Sequence, residues 1–263
     1  MGYVKTPEEI DRIRAALRNP RFTNGHKLTV DFLTDEATFA RLLPPGFTPV
    51  GDPIVTAMIG RWQSNCVGDF QGGALYMAAR FAGVDGGYAL AMWMDTDRST
   101  IFGRDLYGEP KKMARVGLER TGDHVAGFIE RDGVRLIEAE AELSTEHPPR
   151  TVERRALNIK ARPAAGADGL QEDAIVTCAL NVESRELHLE GSGSVRLTGT
   201  AHDPVDELEV LSVVRATYVV SDASATIEPI GTIPGPDFEP WFYGRSGDDW
   251  SALVTEGSPA VWA

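Results

Sequence analysis

His124-Val125-Ala126-Gly127-Phe128-Ile129-Glu130-Arg131-Asp132-Gly133-Val134-Arg135-Leu136-Ile137-Glu138-Ala139-Glu140-Ala141-Glu142-Leu143 holds two apolar-rich runs joined by Asp132-Gly133. An Asp-Gly pair between such runs signals a type I′ turn, because both central residues must take positive φ. Residues 124–130 and 134–143 are therefore read as a hairpin. In its second strand Leu136, Glu138, Glu140 and Glu142 alternate with Ile137, Ala139, Ala141 and Leu143. A period of two with one acidic side describes a strand with one wet face, the mark of antiparallel sheet.

Working outward, the same kind of short apolar or alternating run recurs. Residues 27–33, 54–62, 74–81 and 88–94 precede the hairpin, with Asp85-Gly86-Gly87 read as the turn between the last two. Residues 155–162, 175–182, 187–197 and 213–220 follow it, and 163–173 reads as a surface loop. Helical signals are few. Thr6-Pro7-Glu8-Glu9 forms a capping box with proline at the first helical position, opening a helix through Leu17 with Ile10, Ile13 and Leu17 on one face; Asn19-Pro20 stops it. Thr34 is read as the cap of a second short helix carrying Phe39, Leu42 and Leu43, ended by Pro44-Pro45-Gly46. Many strands and few helices predict an α+β fold, mainly an antiparallel β-barrel or curled sheet with a few short helices. No composition break divides residues 1–263, which are read as one domain.

Composition narrows the function classes. The 263 residues are 42% hydrophobic and 25% charged, and the net charge of −13 argues against nucleic-acid or anionic-membrane partners. Cys66 and Cys178 show no metal or disulfide spacing and read as reduced thiols of a cytoplasmic protein. The five histidines lack metal-ligand spacing, so no metal and no cofactor is expected. No run is apolar and long enough for a membrane span, and no secretory leader opens the chain. The Gly2 to Thr6 stretch fits a myristoylation pattern but reads better as the approach to the capping box.

Arginine outnumbers lysine 21 to 5, yet two lysines are adjacent in Gly108-Glu109-Pro110-Lys111-Lys112-Met113. Lysine can become a neutral amine and arginine cannot. Adjacent ammonium groups disfavour each other's charge, and burial adds to this. The pair is either a solvated surface dipeptide or an amine nucleophile with its tuning neighbour.

The segment Phe102-Gly103-Arg104-Asp105-Leu106-Tyr107-Gly108-Glu109-Pro110-Lys111-Lys112 resembles the active-site segment of the acetoacetate decarboxylase superfamily, where a Gly-Arg-acid motif precedes Pro-Lys-Lys. Gly87-Tyr88 through Met94-Asp95, and Thr34-Asp35 with Leu42-Leu43-Pro44, resemble flanking parts of the same family. The resemblance implies a lyase in which Lys111 forms an imine with a ketone and Lys112 lowers its proton affinity. The decarboxylases carry two carboxylates and an arginine near that lysine; counted without gaps, these positions fall on Gln71, Thr56 and Leu33 here. That departure is closest to the aldolase-dehydratase-like members, which join pyruvate or another 2-keto acid to an aldehyde through an enamine. Acetoacetate decarboxylation, and ligand binding without catalysis, are the alternatives. By resemblance Tyr243, in Trp241-Phe242-Tyr243, is the candidate proton shuttle, or else a packing aromatic. Glu109 is an acid–base group or an arginine's partner, Arg104 binds a substrate carboxylate or braces its loop, and Gln71 hydrogen-bonds substrate or is an ordinary turn residue. The resemblance also implies a homo-oligomer.

Overall fold

A computed structural model describes residues 2–166 and 168–245. In chain order the elements are α1 (Pro7–Arg18), β1 (Arg21–Leu33), α2 (Glu36–Leu42), β2 (Thr48–Pro49), β3 (Ile54–Ser64), β4 (Phe70–Phe81), β5 (Val84–Met94), α3 (Asp97–Phe102) running into a π-turn (Gly103–Tyr107), β6 (Lys111–Met113), β7 (Arg115–Thr121), β8 (His124–Arg131), β9 (Val134–His147), β10 (Arg150–Lys160), β11 (Ala174–Leu197), a 3-10 turn (Val205–Glu207), β12 (Ser212–Ile233) and α4 (Gly235–Arg245).

Strands β10-β5-β4-β3-β1-β12-β11 form a ring, closed because β10 pairs with both β5 and β11. Most pairs are antiparallel; the closing β5–β10 contact is parallel, Gly87 opposite Ala156 and Tyr88 opposite Leu157. The sheet extends through β9, β8 and β7. The fold is the α+β, mainly antiparallel barrel expected from the strand pattern. The β8–β9 hairpin turns at Asp132-Gly133 with φ of 52° and 80°, as the Asp-Gly signal requires.

Alternation sorts the side chains into two interiors. Val55, Ala57 and Ile59 of β3 and Leu75 and Met77 of β4 belong to the main core, which also holds Ile129, Leu136 and Ile137 from β8 and β9. Each of the larger side chains among these contributes roughly 1.5–3 kcal/mol by leaving water. The opposite parity, Thr56, Met58 and Trp62 of β3 and Phe70 and Tyr76 of β4, faces a cavity inside the ring.

Three local expectations are corrected. Asp85-Gly86-Gly87 is not the turn: it lies within β5, and the chain reverses at Ala82-Gly83, where φ is 49° and 81°. Gly86 is small because β10 approaches it there; a Cβ would sit 2.8 Å from the Arg155 carbonyl oxygen. Asp35, not Thr34, caps α2, its Oδ2 accepting from the Thr38 amide at 2.8 Å. Residues 175–182 and 187–197 are one strand, with a register shift between Arg185 and Leu187 where β11 turns from one set of neighbours to the next. On α1 the capping box forms, but Ile10 and Ile13 stay 36% and 45% exposed.

Candidate active site

Helix α3 is capped by Thr96, and the π-turn after it ends at Gly108 with φ of 76°. A Cβ on Gly108 would meet the Lys160 backbone nitrogen at 2.5 Å, so the chain passes β10 only as glycine. Glu109-Pro110 then leads into β6, whose register sets Lys111 opposite Met92 and Lys112 opposite Trp93. Successive strand residues point to opposite faces. The two lysines are therefore parted by the pleat that makes them neighbours.

Lys111, 7% exposed, faces a cavity of about 450 Å³. Its Nζ lies 2.6 Å from Glu109 Oε2 and donates to the Ser99 carbonyl at 3.3 Å. The cavity wall beside it is apolar, with Met92, Met94 and Phe70, and Tyr76 completes it. Burial, and then the Glu109 carboxylate, push the Tyr76 phenol above its ordinary value, so it keeps its proton. Lys27 from β1, Glu183 from β11 and Arg154 from β10 line the same cavity. Glu183 accepts from Lys27 Nζ at 2.7 Å, Ser221 Oγ at 2.8 Å and Arg185 Nη2 at 3.1 Å. Burial alone would raise its carboxyl; the Lys27 ammonium and Arg185 outweigh that and bring it down to about 2. Among the described residues the lining includes no histidine or cysteine, and its two carboxylates are already ion-paired, an arrangement suited to an organic anion rather than a metal.

Lys112, 5% exposed, faces a second cavity of about 330 Å³ between β5, the 3-10 turn and α4. Its Nζ lies 3.0 Å from Asp203 Oδ1 and donates to the His202 carbonyl. Asp203 also accepts from Trp93 Nε1 at 3.1 Å and Arg131 Nη1 at 2.8 Å. Lys112 thus ties β6 to the 200–208 segment by a buried charge network, and its ammonium does not share the Lys111 cavity.

The remaining sequence-derived candidates separate. Thr56 lines the Lys111 cavity, donating to Asp31 Oδ1 at 2.6 Å, and sits directly opposite Tyr76. Gln71 has the parity of Gly73 and Leu75 and does not line the cavity; its backbone N–H donates to Asp95 Oδ1 at 2.8 Å. Leu33, at the end of β1, also lies outside the lining, and the β1 cation in the cavity is Lys27. Arg104 is on the π-turn and likewise absent from the lining. Tyr243 lies on α4, edge-on to Phe242 at 5.3 Å and packed on the main core; α4 borders the Lys112 cavity instead. Sequence reasoning missed Tyr76, Lys27, Glu183 and Arg154. A signal existed for Lys27: the scarcity of lysine that singled out Lys111-Lys112 applies equally to it.

A family model described as acetoacetate decarboxylase matches residues 5–230. A curated acetoacetate decarboxylase of Burkholderia ambifaria is 26% identical over 212 residues, 77% of this chain and 84% of that protein. Among solved structures, the acetoacetate decarboxylase of Legionella pneumophila is similar with a TM-score of 0.73 at 20% identity, covering 81% of this chain and 87% of that one. The enduracididine biosynthesis enzyme MppR, complexed with the condensation product of pyruvate and imidazole 4-carboxaldehyde, is similar with a TM-score of 0.69 at 18% identity, covering 84% and 90%.

Proposed function

The chain belongs to the acetoacetate decarboxylase family, and from that premise we propose that it is a lysine-imine lyase joining a 2-keto acid such as pyruvate to an aldehyde, or running that reaction in reverse. The observation that carries the reading is the Lys111–Glu109 contact of 2.6 Å inside the cavity. Glu109 takes the proton that Lys111 must lose before its amine can attack a ketone. Loss of water from the adduct leaves a protonated imine, which acidifies the neighbouring carbon; its deprotonation gives an enamine. The enamine carbon bonds the aldehyde carbon, and the new alkoxide takes a proton. Tyr76, protonated and on the same wall, is the donor in this scheme, in place of Tyr243. Elimination of the hydroxyl as water and hydrolysis of the imine release product and restore Lys111. The iminium is the only electron sink required, so no cofactor is needed.

The ionic balance of the cavity supports a keto acid that keeps its carboxylate. With the Lys111–Glu109 pair set aside, Lys27, Arg154 and Arg155 face Glu183 alone. Cations hold a carboxylate and oppose its departure as CO₂. The ligand of MppR, a protein of similar fold, is a condensation product of pyruvate and an aldehyde, which is consistent with this chemistry. Acetoacetate decarboxylation is the second reading, favoured by the names of the curated relatives. The free thiols of Cys66 and Cys178 support a cytoplasmic setting, and the exposed Ile10 and Ile13 of α1 support assembly into a homo-oligomer.

Incubation with pyruvate and borohydride, followed by peptide mapping, is expected to add one reduced pyruvyl group at Lys111. An unmodified Lys111, or an adduct at Lys27 alone, would overturn the assignment. Measured side by side, condensation of pyruvate with an aromatic aldehyde is expected to outrun CO₂ release from acetoacetate; the opposite order establishes the second reading instead.

A further inference from the structure

His147 ends β9 and stands directly opposite His188 on β11; Glu190 is two residues beyond His188. Cross-strand partners and i, i+2 residues share one face of a sheet, with Cβ atoms of direct partners about 5 Å apart. The two imidazoles stack with centroids 4.6 Å apart at 28°. One nitrogen of each ring and a Glu190 carboxylate oxygen all lie within 4.8 Å of one another. His188 is 3% exposed, and its Nδ1 is buried without a hydrogen-bond partner; His147 Nε2 is in the same condition. The Glu190 carboxylate reaches only 3.5 Å from His147 Nε2, too far to satisfy it well. Buried nitrogens left unsatisfied are rare in folded proteins, and a bound ion is one group that satisfies them.

We propose that His147, His188 and Glu190 form a divalent transition-metal site that clips β9 to β11. Two imidazoles and one carboxylate are a donor set zinc takes readily, leaving a fourth position for water. Arg185 and Arg150 stand near the His188 ring. Those arginines oppose a cation; the Glu190 carboxylate offsets them, and Arg185 is engaged by Glu183 at 3.1 Å. The location gives the clip a purpose. The β11 register shifts between Arg185 and Leu187 against β12 and again between Glu190 and Gly191 against β9. The three ligands bracket the short stretch between these irregularities, where a strand's register is least determined by its ladder. None of the three residues lines the Lys111 cavity, so the site is separate from the proposed chemistry.

Tag-free full-length protein, stripped with a chelator, is titrated calorimetrically with zinc sulfate, and its cobalt(II) absorption spectrum is recorded. One zinc per chain, a higher melting temperature with zinc, and cobalt bands of nitrogen and oxygen ligation are expected. His147→Ala and Glu190→Gln, at the partly exposed positions where folding is least at risk, are each expected to weaken zinc about tenfold or more while Lys111 trapping stays at the wild-type rate. The absence of saturable zinc binding, or one-site binding unchanged in both variants, would overturn the proposal.

Discussion

Gly103→Ala tests the geometry of the proposed nucleophile through a single methyl group. Gly103 has φ of −68° and ψ of −45°, ordinary right-handed helical values, so alanine is unstrained there. A Cβ at this position would lie 2.2 Å from Glu109 Oε2 and 2.5 Å from Lys111 Cδ and Nζ. Ordinary contact begins near 3.4 Å, so the tips of Glu109 and Lys111 must retreat by roughly 1 Å, a displacement that can cost about 100-fold in rate when reacting atoms are involved. The three nearest atoms all belong to these two side chains. Overpacking costs about 1–3 kcal/mol, and replacing a helical glycine by alanine returns up to ~1 kcal/mol. The variant should therefore melt within a few degrees of wild type while its borohydride trapping by pyruvate falls about 100-fold. Trapping at the wild-type rate in a folded Gly103→Ala protein would refute the placement of Lys111 and Glu109; a collapse in melting temperature would show that the backbone, not the side-chain tips, absorbs the methyl.

Four further variants have outcomes that the structure sets. Glu109→Gln keeps the shape of the cavity but removes the proton acceptor, and imine trapping is expected to slow by about 10²-fold or more, a loss read from single-turnover kinetics and absent if Glu109 is only a brace. Glu183 has a folded value near 2 against an ordinary 4.5, so its contribution is fully present above pH ~4.5 and is lost as pH falls toward 2; that amounts to on the order of 3 kcal/mol, and Glu183→Gln should be less stable at pH 7 with a flatter stability profile between pH ~5 and ~2 in acid-unfolding curves. Asp203→Asn removes the carboxylate paired with the buried Lys112 ammonium and should cost about 3–5 kcal/mol in denaturant unfolding, whereas Lys112→Met, which removes a charge rather than orphaning it, should leave the trapping rate of Lys111 near wild type; a large change in that rate would assign Lys112 a tuning role.

What the sequence determined by itself is what neighbouring residues decide through local stereochemistry. Asp132-Gly133 dictates its turn because two consecutive positive φ values admit few residues, and Thr6-Pro7-Glu8-Glu9 dictates its capping box through bonds spanning three residues. The two-residue alternation in β9 announced antiparallel sheet, and the rarity of lysine marked Lys111-Lys112 as unusual. Ala82-Gly83 escaped notice because alanine carries no turn signal, while Asp85-Gly86-Gly87 carried one for a different reason, the approach of β10. The tertiary structure alone decided which side chains meet. Lys27 and Glu183 are 156 residues apart, and Lys112 and Asp203 are 91 apart; only tertiary packing brings each pair together. Cavity membership depends on parity and register across strands, so a shift of one residue exchanges cavity for core. That is why Thr56 and Tyr76 face Lys111 while Gln71 does not, and why two lysines adjacent in the chain serve two different interiors.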